Sequence, residues 1–330
     1  NKFEIIGTDL EVSSKIILEC QNDISKSFCI NAKNFSDIIR ELPDNTTELV
    51  FNEDQTLHIY NGSIHYSLLT IGSEDFPVIE FKHLHNPIIF NSSEISSIVE
   101  KTSYAMSTDE TRIQLNGIFC QLKDDKIRFV AIDGHRLAMI DSAKFSGSSD
   151  VLTKGAIIPK KGIFELKKLA DLKNTEIEIS FDQSFLYLSC DNKIFTSVRL
   201  ISRDYPKYET IIPSKNSFTF TFDKNEMAQA IRRVKLLASE KNHAIKFKIS
   251  KNNLLIHTQN PIYGKAEEAL GINYSGTDLE IGFNAKNLLE NINVFNEGEI
   301  QFEFNNSLSP VVMKSDSLNE FLSIIMPLKI

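Results

Sequence analysis

Apolar and polar residues alternate along much of this chain, broken at intervals by amphipathic stretches of helical period. The runs Glu48-Leu49-Val50-Phe51, Glu176-Ile177-Glu178-Ile179 and Glu299-Ile300-Gln301-Phe302 predict strands. Each passes through a polar cluster (Asn52-Glu53-Asp54-Gln55, Asp182-Gln183-Ser184 or Asn305-Asn306-Ser307) into a second strand, which is the pattern of a hairpin. A helix is expected before each hairpin. Asn31-Ala32-Lys33-Asn34-Phe35 recurs as Asn284-Ala285-Lys286-Asn287-Leu288, and Pro159-Lys160-Lys161-Gly162-Ile163 lies between them, with Pro where its missing N–H costs nothing. A second helix type follows Phe90-Asn91-Ser92 and Phe222-Asp223-Lys224. Its apolar positions are Ile95, Ile98, Val99 and Met106 in one copy and Met227, Ala230, Ile231, Val234 and Leu237 in the other.

The same layout therefore occurs three times, over residues 1–85, 86–214 and 215–330, with Pro87 and Pro213 near the seams. The first segment lacks the second helix type, and the chain opens on Asn1 inside a strand. By comparison with the other two segments, about forty residues are expected to be missing from its start. The alternative, a naturally short segment, would leave its sheet edge open.

Composition narrows the class without deciding it. The chain has 330 residues, 42% of them hydrophobic and 24% charged, enough for two or three domains with substantial cores. No apolar run reaches the roughly 18 residues of a membrane helix, and no leader pattern opens the chain. The four cysteines (Cys20, Cys29, Cys120, Cys190) form no CxxC pair and sit in strand-like runs, so buried free thiols in a reducing cytoplasm are expected.

Net charge is −8, but its distribution carries more than its sum. The five expected helices, 33–41, 93–106, 160–170, 224–237 and 286–292, hold 12 basic and 7 acidic residues, so the helices carry +5 and the remainder −13. Basic helices on an otherwise acidic chain suggest one surface built for a polyanion, read through phosphates rather than bases. The plainer reading is that helices simply place Lys on their wet faces.

Three strings carry a resemblance: Val130-Ala131-Ile132-Asp133-Gly134-His135-Arg136-Leu137-Ala138 after Leu115-Asn116-Gly117, then Asp204-Tyr205-Pro206-Lys207-Tyr208, and the ending Ile324-Ile325-Met326-Pro327-Leu328-Lys329-Ile330. Together with the repeat and the segregated charge, they resemble the bacterial DNA sliding-clamp family, the beta subunits of DNA polymerase III. The resemblance runs in order from Gly7 to Ile330. It implies an α+β chain of three repeated clamp-type domains and a ring-shaped head-to-tail homodimer, with helices lining a central hole and antiparallel sheets outside. Such a ring would encircle duplex DNA in the cytoplasm without catalysing anything and without cofactor or metal.

The resemblance also assigns residues. A peptide groove between the second and third domains would use Leu115, Gly134, His135, Arg136, Leu137, Pro206, Ile211, Pro310, Ile324, Met326, Pro327 and Leu328. Its occupants would be short linear motifs of the replicative polymerase, the clamp loader, and translesion and mismatch-repair proteins. Aliphatic walls and an adaptable Met suit apolar anchors, and His135 and Arg136 are expected to orient a peptide at the rim. DNA-facing charge is assigned to Lys33, Arg40, Lys101, Arg112, Lys160, Lys161, Lys167, Lys168, Lys224, Arg232, Arg233 and Lys286. The dimer seam would pair Tyr66 and Leu68 with Leu236 and Leu237, unless these four are ordinary core residues. Ile132, Thr210, Asn242 and Asn287 depart from the family pattern and bear on which motif the groove prefers.

An enzymatic reading has little support. Asp133 and His135 could form an acid/base pair, but no GxSxG, HExxH, Walker or GxGxxG motif accompanies them. His83 and His85 could bind a metal, yet further ligands are lacking nearby. A scaffold that uses only the groove is the remaining rival, and the basic helices argue against it.

Overall fold

Among the described residues six helices form: α1 (Ala32–Glu41), α2 (Ser92–Thr102), α3 (Val151–Lys154), α4 (Lys160–Ala170), α5 (Lys224–Val234) and α6 (Ala285–Asn293). The computed structural model describes every residue except Asn1, Asp23, Ile24, Glu53, His83–His85 and Ile330. The suggested His83/His85 pair, the opening Asn1, Glu53 of the first turn and the last residue of the tail thus lie outside the described residues. Side-chain oxygens of Asn31, Asn91, Asp223 and Asn284 accept first-turn N–H groups of α1, α2, α5 and α6. Pro159 precedes α4 with no such bond.

Two helices end sooner than their apolar spacing suggested. After α2 the chain tightens into a 3-10 turn, Ser103–Ala105, and Met106 is already extended; after α5 a similar turn spans Lys235–Leu237. The four-residue α3 was not expected, being too short to show a period.

The chain divides into two compact units. One holds Asn1–Lys82 with Asn192–Thr196. It contains the hairpin Lys2–Thr8/Val12–Glu19, α1, the short pair Phe28–Cys29/Ile71–Gly72, and a three-stranded sheet in the order Glu48–Phe51, Thr56–Asn61, Ile64–Leu69. Among its described residues the buried apolar side chains are Leu57, Ile59 and Phe195, and α1 buries none.

The other unit holds His83–Asp191 and Ser197–Ile330, so the second and third repeats share it. The reason is an eight-stranded antiparallel sheet that runs through both. Its order is Ala156–Pro159, Gly117–Lys123, Lys126–Ile132, Arg136–Ser142, Phe321–Ile325, Val311–Lys314, Glu299–Phe304, Phe218–Asp223. The two repeats meet at its centre, where Leu137 pairs with Ile324 and Arg136 with Ile325. Helices cover the sheets in pairs, α2 against α4 and α5 against α6. A Cβ at Gly162 would come within 2.8 Å of Val198 Cγ1, so its lack of a side chain lets α4 lie close to its sheet. Cys120 and Cys190 are buried as expected, but Cys20, just past the end of its strand, is exposed and Cys29 half-buried.

Candidate functional site

The junction of the two repeats starts from a tight turn. Asp133, Gly134 and His135 connect strands Lys126–Ile132 and Arg136–Ser142, and Gly134 has φ +93°, which favours glycine. Asp133 Oδ1 accepts the backbone N–H groups of His135 (2.8 Å) and Arg136 (3.0 Å), while Oδ2 accepts Arg136 Nε (2.9 Å). Asp133 therefore builds the turn and neutralises Arg136, which gives it a structural task in place of the acid/base pairing the sequence allowed.

Arg136 differs from its expected place at the rim. Its side chain is only 10% exposed. It also donates to Glu290 of α6, and its guanidinium lies 5.2 Å from the centre of the Tyr104 ring. Tyr104 continues the network: its hydroxyl donates to Asn291 Oδ1 at 3.0 Å and lies 2.9 Å from Ser323 Oγ, which donates to the same Asn291 oxygen. Burial pushes the Tyr104 phenol well above its ordinary pKa, so it stays a neutral donor. Arg136 thus ties the two repeats together. Tyr104, Glu290, Asn291 and Ser323 escaped the sequence reading. Asn291, polar on the buried face of an amphipathic helix, was the one signal that could have found them.

An apolar cluster lies beside this tie. Leu115, Ile132, Leu137, Tyr208 and Ile324 are buried together, and Ile211 packs partly buried against them. The tail is fixed next to it by backbone bonds: Met326 N–H donates to His135 O at 2.7 Å and Leu328 N–H to Gly282 O at 2.8 Å. Met326, Pro327 and Leu328 are consequently half-buried, while Gly134, His135 and Pro206 are exposed. Pro310, also half-buried, precedes Val311, the register partner of Ile325. The tail, the turn and the apolar cluster therefore lie within one region.

Among the departures, Ile132 joins the buried cluster, and Thr210 Oγ1 is occupied by Lys207 O at 2.7 Å. Asn242 Oδ1 accepts the N–H of Ala244 at 3.2 Å. Asn287 lines a cavity of about 560 Å³ with Arg112, His135, Lys160, Lys286 and Glu290.

The basic residues assigned to DNA are not equivalent. Lys160, Lys161, Lys167 and Lys168 are exposed on α4, Lys33 and Arg40 on α1, and Lys286 at the start of α6. Lys101, by contrast, is only 9% exposed and donates to Ser97 Oγ at 2.6 Å, because α2 packs that side against its neighbours. Arg112 is in a short turn outside the helices, 3.4 Å from Asp109. Lys224 is half-buried and donates to Phe295 O. Arg232 is exposed and lies 3.4 Å from Asn293 Oδ1, whereas Arg233 is held two-pronged by Glu268, with Nε at 2.9 Å.

Of the residues assigned to a dimer seam, Tyr66 is exposed and Leu68 half-buried on the outer strand of the three-stranded sheet. In the other unit Leu236 is 77% exposed and Leu237 half-buried, on the 3-10 turn after α5. Among the described residues no group of three metal-ligating side chains comes together, and no helix is long and apolar enough to cross a membrane.

Models of the three domains of the DNA polymerase III beta subunit match this chain in order. The N-terminal domain matches residues 1–80, the central domain 90–207 and the C-terminal domain 209–329. The chain is 28% identical to the beta sliding clamp of Vibrio cholerae, with 100% of this chain and 89% of that protein covered. It is 26% identical to that of Escherichia coli, covering 99% and 89%. Among solved structures, a C. crescentus beta sliding clamp is 27% identical and superposes with a TM-score of 0.93, covering 100% of this chain and 89% of that one. The sliding clamp of Bartonella birtlesii, solved bound to griselimycin, gives 27% identity, a TM-score of 0.92 and the same coverage.

Proposed function

The chain belongs to the DNA polymerase III beta-subunit family, and from that premise we propose how its surfaces divide the work of a sliding clamp. It is a processivity factor of DNA replication, a non-catalytic subunit of the polymerase. Three domains, 1–85, 86–214 and 215–330, form each half of a ring closed head-to-tail by two copies around duplex DNA in the cytoplasm. The seam brings Tyr66 and Leu68 of one copy to Leu236 and Leu237 of the other, where both pairs carry apolar surface open to a partner. A ring is retained by topology, so weak phosphate contacts suffice, and these also let it slide.

Peptides bind beside the turn at Gly134. Leu115, Leu137, Ile211 and Ile324 form the floor, with Met326, Pro327, Leu328, Pro206 and Pro310 around it and His135 as the exposed polar group. The pinned tail is the observation that carries this assignment: two backbone bonds hold Met326 to Leu328 at the edge of the apolar cluster. The occupants are short motifs of the replicative polymerase and the clamp loader, and beyond them of translesion and mismatch-repair proteins. Arg136 acts indirectly, by fixing the turn.

Primer extension tests this reading. With the replicative polymerase, its loader and a trap for released enzyme, the chain is expected to lengthen the products of a single binding event many-fold. Products of unchanged length would overturn it.

A further inference from the structure

The exposed face of α4 combines charge with an aromatic ring. Lys160, Lys161, Phe164, Lys167 and Lys168 are its exposed residues, while Gly162, Ile163, Leu166, Leu169 and Ala170 are buried and Glu165 is half-buried. At 3.6 residues per turn the five exposed positions fall within about a third of the helix circumference, with Phe164 in the middle. Phe164 is 51% exposed. The core beneath α4 is already filled by five other residues, so packing does not explain a phenyl ring among four lysines. The other basic helices differ. The exposed residues of α5 are Asn225, Glu226, Gln229, Arg232 and Arg233, and those of α6 are Lys286 and Asn293, with no aromatic among them.

We infer that this face is a contact for single-stranded DNA, in which Phe164 stacks on an unpaired base and the surrounding lysines hold the phosphates on either side. The inference rests on the reading that the basic helices face DNA, and adds a class of ligand to it. Duplex DNA hides the faces of its bases, and lysines alone satisfy its phosphates. A ring set among lysines finds a stacking partner only where base faces are open, and stacking of this kind is tolerant of sequence. Local geometry favours the arrangement. Lys160 Nζ lies 6.0 Å from the centre of the ring, and Glu165, the helix's acidic residue, is bound by Lys168 at 2.6 Å. The face therefore stays cationic around an outward ring.

The chain contains no tryptophan, so Phe164→Trp places a single fluorescent reporter at the site. Oligothymidylate is expected to quench it, and a duplex of equal length is not. Phe164→Ala should weaken oligothymidylate binding at least about fivefold and duplex binding less than about twofold, while Phe164→Trp retains both. Phe164→Leu keeps an apolar side chain without a ring and should lose single-strand affinity like Ala. It serves equally well if the Ala variant fails to fold. Absent quenching, equal quenching by duplex, or full single-strand affinity in Phe164→Leu would overturn the inference. Changing the four lysines to Gln tests the underlying reading separately: duplex binding should weaken, and its dependence on salt should flatten by close to one unit of slope per lysine.

Discussion

The junction around Arg136 and the face of α4 are built on opposite plans. At the junction, side chains and backbone from both repeats are fixed by hydrogen bonds. Arg136 is gripped by Asp133 and Glu290, Tyr104 by Asn291 and Ser323, and the tail by His135 and Gly282. On α4 four exposed lysines extend from one face of a plain helix, one of them paired with Glu165. The first plan gives a defined shape, so single changes should act steeply. The second gives a field that is graded in charge and screened by salt. One chain can then select its protein partners closely while treating all DNA sequences alike.

Removing residues 326–330 should break the groove outright. Capture of a polymerase-derived motif peptide is expected to fall beyond detection in a binding titration, with dimerisation by sedimentation unchanged. Full peptide affinity would sink the groove assignment. Next in size is Arg136→Ala, which leaves Asp133 and Glu290 facing each other without their cation. It should cost about 3 kcal/mol in denaturant unfolding, the lower end for a buried pair because Glu290 is partly exposed. Tyr104→Phe removes a buried donor shared with Asn291 and Ser323, and should cost about 1 to 2 kcal/mol by the same measurement. Lys101→Gln stands at the bottom of the order. Its ammonium is buried against Ser97, so the salt dependence of duplex binding should not change. A slope that falls as much as for an α4 lysine would erase the distinction drawn between the two helices.

Much of this was legible in the sequence, and the rest was hidden for definable reasons. Helical period and capping residues located α1, α2, α4, α5 and α6 to within a few residues, because those signals are local. The helix ends at Thr102 and Val234 were overrun, since apolar spacing continues through the 3-10 turns that follow. Pairing of Leu137 with Ile324 joins strands far apart in the chain, and no local pattern reports it. The same distance concealed Glu290 as the partner of Arg136, and with it the tie between repeats. Charge type was readable and charge exposure was not. Lys101 and Lys160 look alike in sequence, yet packing of α2 buries one and leaves the other in solvent.

Retention on circular against linear DNA tests the central claim most directly. The chain would be loaded onto nicked circular DNA, separated from free protein at high salt, and half the sample cut once with a restriction enzyme. A sliding ring stays on the closed circle and runs off the linear form. Equal retention on both, or equal loss from both, would contradict the account.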